Sequence, residues 1–149
     1  MSDKRVMVIG SGGRECAFAW KLNKDNEVGQ VYCAPGNGGT SAFAINIDCN
    51  INNNNEILEQ VIKYEIDLVL VGPEAPLANG IVDFLKTNHI NVFGPDKYSA
   101  QLESSKLFAR DVMAEYNIPQ PKYKKCTSVE EVLKVKNDSK VYFVEEGAD

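Results

Sequence analysis

The stretch VMVIGSGGRECAFAW, residues 6–20, decides the fold. An apolar run stops at Gly10, three glycines fall within positions 10–13, and a helical pattern starts at once. A short continuous apolar run ended by glycine reads as a strand buried on both faces. The following residues place Cys16, Ala17 and Trp20, then Lys21 and Lys24, at helical spacing over 13–24. Strand, glycine turn, helix is the grammar of a parallel α/β sheet.

The same grammar recurs downstream. GQVYCAPGNGG (29–39) is a second strand stopped by Pro35 and Gly36, and AINIDC (44–49) is a weaker strand. INNNNEILEQVIKYE (51–65) is an asparagine loop leading into an amphipathic helix carrying Ile57, Leu58, Val61 and Ile62, capped by one of the asparagines. IDLVLVGPEAPL (66–77) is a buried strand, a glycine and a helix that runs on through ANGIVDFLKTN, and INVFGP (90–95) repeats the strand and turn. Residues 96–119 form two consecutive helices broken near Glu103–Ser104 and ended by Pro119. PKYKKC (121–126) is a short strand, SVEEVLKVKN a short helix, and KVYFVE (140–145) a last strand. The expected architecture is α/β and Rossmann-like, a doubly wound parallel sheet with helices on both faces. Residues 1–100 are its body, 101–121 a helical connector, and 122–149 the opening of a different unit.

Open parallel sheets bind ligands at the carboxyl ends of their strands. The unusual loops GSGGRE, APGNGGT, VGPEAPL and FGPDK all fall at that edge. The first loop departs from a dinucleotide fingerprint, because Glu15 stands where the third glycine belongs. The second strand ends in Cys33-Ala34-Pro35 without an acidic residue for ribose hydroxyls. Both features disfavour a nicotinamide enzyme, and no Walker-type loop is present. A tight loop feeding a helix N-terminus remains, suited to one phosphate group. The candidate substrate-binding residues are Gly10, Ser11, Gly12, Gly13, Arg14 and Glu15, then Pro35, Gly36 and Asn37, then Gly72, Pro73 and Glu74. Arg14 offers a fork for phosphate oxygens. Glu15 either caps its helix or meets a ligand hydroxyl or amine. Glu74 is a carboxylate on a backbone stiffened by prolines, with an ordinary loop glutamate as the plain alternative.

The chain has 149 residues, a net charge of −5 and 44% hydrophobic residues. That size suits one domain plus part of a second, and the acidity argues against nucleic acid or an anionic membrane as partner. The N-terminus reads as lacking a signal peptide, and no run approaches the ~20 apolar residues of a membrane span, so a cytoplasmic protein is expected. Cys16, Cys33, Cys49 and Cys126 form no CxxC pair and read as reduced, mostly buried thiols; no metal site is expected. His89 reads as a cap or surface residue, and no catalytic acid, base or nucleophile stands out.

Five ordered segments carry a family resemblance: VIGSGGRE, VYCAPGNGGT, IDLVLVGPEAPLANGIVDFL, VFGPDKYSAQLESSKLFARDVM and NIPQPKY, over about residues 4–123. They resemble the N-terminal part of the phosphoribosylamine–glycine ligases of purine synthesis, members of the ATP-grasp superfamily. The resemblance implies a pre-ATP-grasp domain on the sugar-phosphate side of the site, followed by a truncated start of an ATP-grasp domain over 122–149. It implies joining of phosphoribosylamine and glycine through a glycyl phosphate, with ATP and Mg2+ as cofactors of the complete enzyme. Lys106 is similar to the lysine that approaches ATP phosphates. It also implies association with the rest of a multifunctional purine enzyme. Two departures stand out: Cys16 replaces the family's usual histidine, and Glu145 stands where an ATP-binding lysine is expected. The chain alone is therefore expected to be inactive, either as a fragment of the ligase or as a non-catalytic binding or assembly form of it.

Overall fold

The computed structural model describes residues 4–138. Lys4–Gly10 (β1) is a seven-residue strand whose last five residues are buried. It pairs in parallel with Val28–Pro35 (β2) on one side and Leu68–Val71 (β4) on the other. Ile45–Asn46 (β3) extends the sheet beyond β2, and Val92–Phe93 (β5) beyond β4, for an order β3-β2-β1-β4-β5. All four pairings are parallel, the expected sheet.

Alternation along the strands explains why helices cover both faces. Met7 and Ile9 of β1, Tyr32 and Ala34 of β2, and Val69 and Val71 of β4 point into the larger core. Asn54–Lys63 (α2) adds Ile57 and Val61 to that core, and Ile81–Thr87 (α4) adds Ile81, Val82 and Leu85. Val8, Val31 and Cys33 point the other way, against Ala19 of Gly13–Leu22 (α1). The strands read as unbroken apolar runs because both faces are covered.

Three expectations need correction. The helix expected through ANGIVDFLKTN is divided, with Glu74–Ala78 (α3) ending before α4, because Gly80 takes a left-handed φ of 81° between them. The strand expected at 44–49 shrinks to Ile45–Asn46. Residues 121–126 carry no strand: an isolated extended segment leaves its ladder groups without a β partner. The last expected strand, 140–145, and Glu145 lie outside the described residues.

The chain divides into two units, Met1–Ala100 and Gln101–Asp149. The boundary falls inside Lys97–Ser104 (α5). The break before the next helix, Lys106–Glu115 (α6), is at Ser105, whose hydroxyl accepts the Phe108 N–H at 3.3 Å as an N-cap. In the second unit, Tyr123 donates to Asp111 at 2.8 Å and Gln120 to the Arg110 carbonyl at 3.0 Å. Val129–Asp138 (α7) starts after Ser128, with Glu131 accepting from the Thr127 N–H.

Candidate functional site

Three loops leave the carboxyl ends of β1, β2 and β4. Two backbone bonds fasten them together: Gly36 N–H donates to the Gly10 carbonyl, and Gly72 N–H to the Ile9 carbonyl, both at 3.1 Å. The sheet order places β1 beside β4 at the point where the chain switches direction across the sheet, the usual crevice of such folds.

The first loop is organised around Glu15. This carboxylate is 3% exposed. Its Oε2 accepts the Gly12 N–H at 2.7 Å and its Oε1 accepts from Arg14 Nε at 3.1 Å. A Cβ on Gly72 would collide with Oε1, one on Gly10 would lie 2.6 Å from Glu15 Cγ, and one on Gly12 would lie 2.8 Å from Oε2. Gly10 also sits at φ 126°, where side chains are disfavoured. Gly12 does not: its φ of −89° and ψ of −177° suit any residue. Room for a buried carboxylate, not backbone freedom, selects glycine there. The helix start thus already holds an internal anion, and Gly12 N–H is committed to it. The N–H groups of Gly13, Arg14 and Glu15 have no partner within α1, as in any first helical turn.

Arg14 bridges two loops. Its Nη2 lies 3.5 Å from Glu74 Oε2, and the two side chains are 49% and 58% exposed. The hydrogen bond to Glu15 holds the guanidinium above its ordinary pKa against an opposing desolvation, and Glu74 adds to the rise. One guanidinium between two carboxylates leaves the cluster one charge negative. Any attraction this cluster offers an anion would have to come from backbone N–H groups and the helix dipole rather than from net charge. Glu74 itself is the first residue of α3, after Pro73 at the N-cap, with Pro76 tolerated inside the first turn.

Asn37 joins the second loop to the first. Its Nδ2 donates to the Ser11 carbonyl at 2.6 Å and approaches the Gly12 carbonyl at 3.4 Å. Its Oδ1 accepts from Gly39 N–H at 2.6 Å and Thr40 N–H at 3.0 Å. Pro35, the last residue of β2, follows a cis peptide. Gly36 has φ 73°, and a Cβ there would run into Asn46 and Thr40. Thr40 and Asn46 escaped the sequence reading. The only signal was a threonine closing APGNGGT, and an asparagine in a weak strand gave none.

The remaining expected residues lie elsewhere. Lys106 is exposed at the first position of α6, in the second unit. His89 is exposed at φ 60° just past Asn88, the C-cap of α4, and so takes the surface alternative of the two expected for it. Cys33 and Cys49 are buried, while Cys16 and Cys126 are partly so. Burial pushes Cys33 up to about 11, and burial likewise pushes Cys49 to about 11. No helix among the described residues is long and apolar enough to cross a membrane.

Comparison with known families identifies the domain. The family model described as "Phosphoribosylglycinamide synthetase, N domain" matches residues 4–103. This chain belongs to that family. Among curated relatives, the phosphoribosylamine–glycine ligase of Clostridium acetobutylicum is 45% identical over 129 residues, 87% of this chain and 31% of that protein. The Pseudomonas putida ligase is 43% identical over 148 residues, 97% of this chain and 32% of its own length. The chain thus spans about a third of the ligases it matches. The crystal structure of the Thermotoga maritima ligase superposes with a TM-score of 0.66 at 29% identity, covering 90% of this chain and 30% of that one. The biotin carboxylase domain of Hydrogenobacter thermophilus 2-oxoglutarate carboxylase gives 0.70 at 16% identity, covering 93% and 33%, a likeness of fold. The phosphoribosylglycinamide synthetase N-domain is accordingly the α/β parallel-sheet domain expected, and its relatives are ligases that use this region as their N-terminal part.

Proposed function

We propose that this chain is the sugar-phosphate-binding N-terminal part of an ATP-dependent cytoplasmic ligase. That enzyme joins phosphoribosylamine to glycine, giving glycinamide ribonucleotide, ADP and phosphate in purine biosynthesis. Residues 1–100 form the substrate-side domain, 101–121 the connector, and 122–149 the start of the ATP-grasp part. The observation that carries the site is the Arg14–Glu74 pair, which spans the switch point between the loops after β1 and β4. Gly13 and Arg14 N–H groups and the guanidinium suit phosphate oxygens, and Glu74 suits a hydroxyl or amine of the sugar. Glu15 acts within the loop, with Gly10, Gly12 and Gly72 giving it room. Ser11, Pro35, Gly36, Asn37 and Pro73 shape the same rim.

The described residues do not provide for the implied cofactors. No group of three His, Cys, Asp or Glu side chains among them could hold a metal ion. Lys106 is the single position that resembles a nucleotide contact. ATP and Mg2+ supply activation of the glycine carboxylate in the complete ligase, and that chemistry needs cations these residues do not gather. The same deficit favours a second reading, a non-catalytic binding or assembly form associated with the rest of a multifunctional purine enzyme.

Calorimetric titration with ribose 5-phosphate tests the site. Binding is expected in the wild type. Arg14→Ala should weaken it by about 1.5–3 kcal/mol, the range for one charge-assisted hydrogen bond. Gly12→Val should abolish it by driving the Glu15 carboxylate out of its recess. Equal affinity in the wild type and a folded Gly12→Val variant would place the sugar phosphate elsewhere.

A further inference from the structure

We infer that Thr40 and Asn46 are positioning residues for the substrate edge, acting through Asn37; the inference deepens the reading proposed above and rests on it. Thr40 is 0% exposed, one of two buried polar or charged residues in the described chain. Its Oγ1 accepts the Asn37 N–H at 2.7 Å and lies 2.8 Å from the Asn37 carbonyl and 2.7 Å from Asn46 Oδ1. Asn46 Nδ2 donates to the same Asn37 carbonyl at 2.8 Å. One hydroxyl carries one proton. Giving that proton to Asn46 Oδ1 leaves every group paired: Asn37 N–H to Thr40, Thr40 O–H to Asn46, and Asn46 amide back to the Asn37 carbonyl. The ring grips both backbone polar groups of Asn37.

Asn37 then spends its side chain outside the ring. Its amide holds the Ser11 carbonyl, and its oxygen holds the Gly39 and Thr40 N–H groups. The Ser11 carbonyl that Asn37 holds belongs to the peptide whose Gly12 N–H donates to Glu15, so that peptide is pinned at both ends, and Ser11 and Gly12 lead directly into the first-turn donors of α1. The relay runs from β3 at the sheet edge, through Asn46 and Thr40 to Asn37, and so to the glycine loop at the sheet centre. Gly36 is part of the device, since any Cβ there would occupy the place of the Asn46–Thr40 bond.

The test combines ribose 5-phosphate titration with amide spectra of residues 11–14 in the 149-residue chain. Thr40→Val keeps shape and removes the hydroxyl; Thr40→Ser keeps the hydroxyl. Thr40→Val is expected to weaken binding by about five- to tenfold, as for one lost neutral hydrogen bond, and to shift the Ser11–Arg14 amide signals. Thr40→Ser should restore affinity to within about twofold of wild type on the same scale. In an Asn37→Ala background, Thr40→Val should cause no further loss, because its effect passes through Asn37. Asn46 is exposed, so Asn46→Asp keeps the fold while losing the amide donor, and it should reproduce both changes. Independent, additive losses, or unmoved 11–14 amides in folded Thr40→Val and Asn46→Asp variants, would overturn the inference. If the wild type binds no ribose 5-phosphate, the substrate reading fails, and the amide shifts alone decide whether the relay exists.

Discussion

At the scale of single residues, glycine and cysteine positions make the sharpest contrasts. Gly72→Ala should destabilise the chain by about 1–3 kcal/mol in urea titration, because the new methyl displaces a buried carboxylate from its hydrogen bonds. Gly13→Ala should be neutral or stabilising by up to about 1 kcal/mol, since a Cβ there meets nothing within 4 Å and α1 gains a better helix former. In the sequence both glycines simply belong to turns that come after an apolar run. Only the return of Glu15 into the loop separates them. Cys33 and Cys49 make the pH prediction. Their thiols are raised from the ordinary 9.0 to about 11 by burial, so the folded state holds its protons longer than the unfolded one. That contribution to stability is complete below about pH 9 and is lost as pH rises toward 11. Thiol labelling of native protein at pH 8 should therefore reach Cys16 and Cys126 well before the other two, and equal labelling of all four would contradict the burial.

At the scale of elements, caps and alternation carried most of the legible information. The asparagine run was read as a loop ending in a cap, and Asn53 is that cap, accepting Asn55 N–H at 3.1 Å and Glu56 N–H at 3.4 Å. Asn53→Ala should cost about 1 kcal/mol, measured by chemical denaturation, while the exposed Asn52→Ala should cost much less. Strand starts and helix faces followed from apolar spacing, because that pattern reflects which side must be buried. Breaks were harder. A single left-handed residue, Gly80, divides α3 from α4, and the surrounding sequence still reads as continuous helix. The short strand expected over 121–126 shows the opposite error. Its residues suit a strand, but a strand exists only with a partner, and a partner is a tertiary fact.

At the scale of the whole molecule, stability is expected to be uneven. The two apolar cores lie almost wholly within residues 4–100, whereas α6 buries no residue fully. Amide exchange should be slow in β1 and markedly faster in α6, and equal protection would mean that α6 is covered by another partner in solution. The 149-residue chain, which spans about a third of the ligases it matches, should form no glycine-dependent ADP in a coupled assay, and ADP formation would overturn that expectation. The sequence by itself determined the parallel α/β class, the edge that carries the loops, and the family, because buried strands, glycine turns and ordered motifs are local patterns. Tertiary structure alone decided that Glu15 turns inward, that Arg14 meets Glu74, and that Thr40 and Asn46 grip Asn37. Those partners are 3, 60, 6 and 9 residues apart in the chain. Only the Arg14–Glu74 meeting depends on parallel strands bringing separate loops to one edge; the other three depend on how each loop folds back on itself, which the order of residues alone does not display.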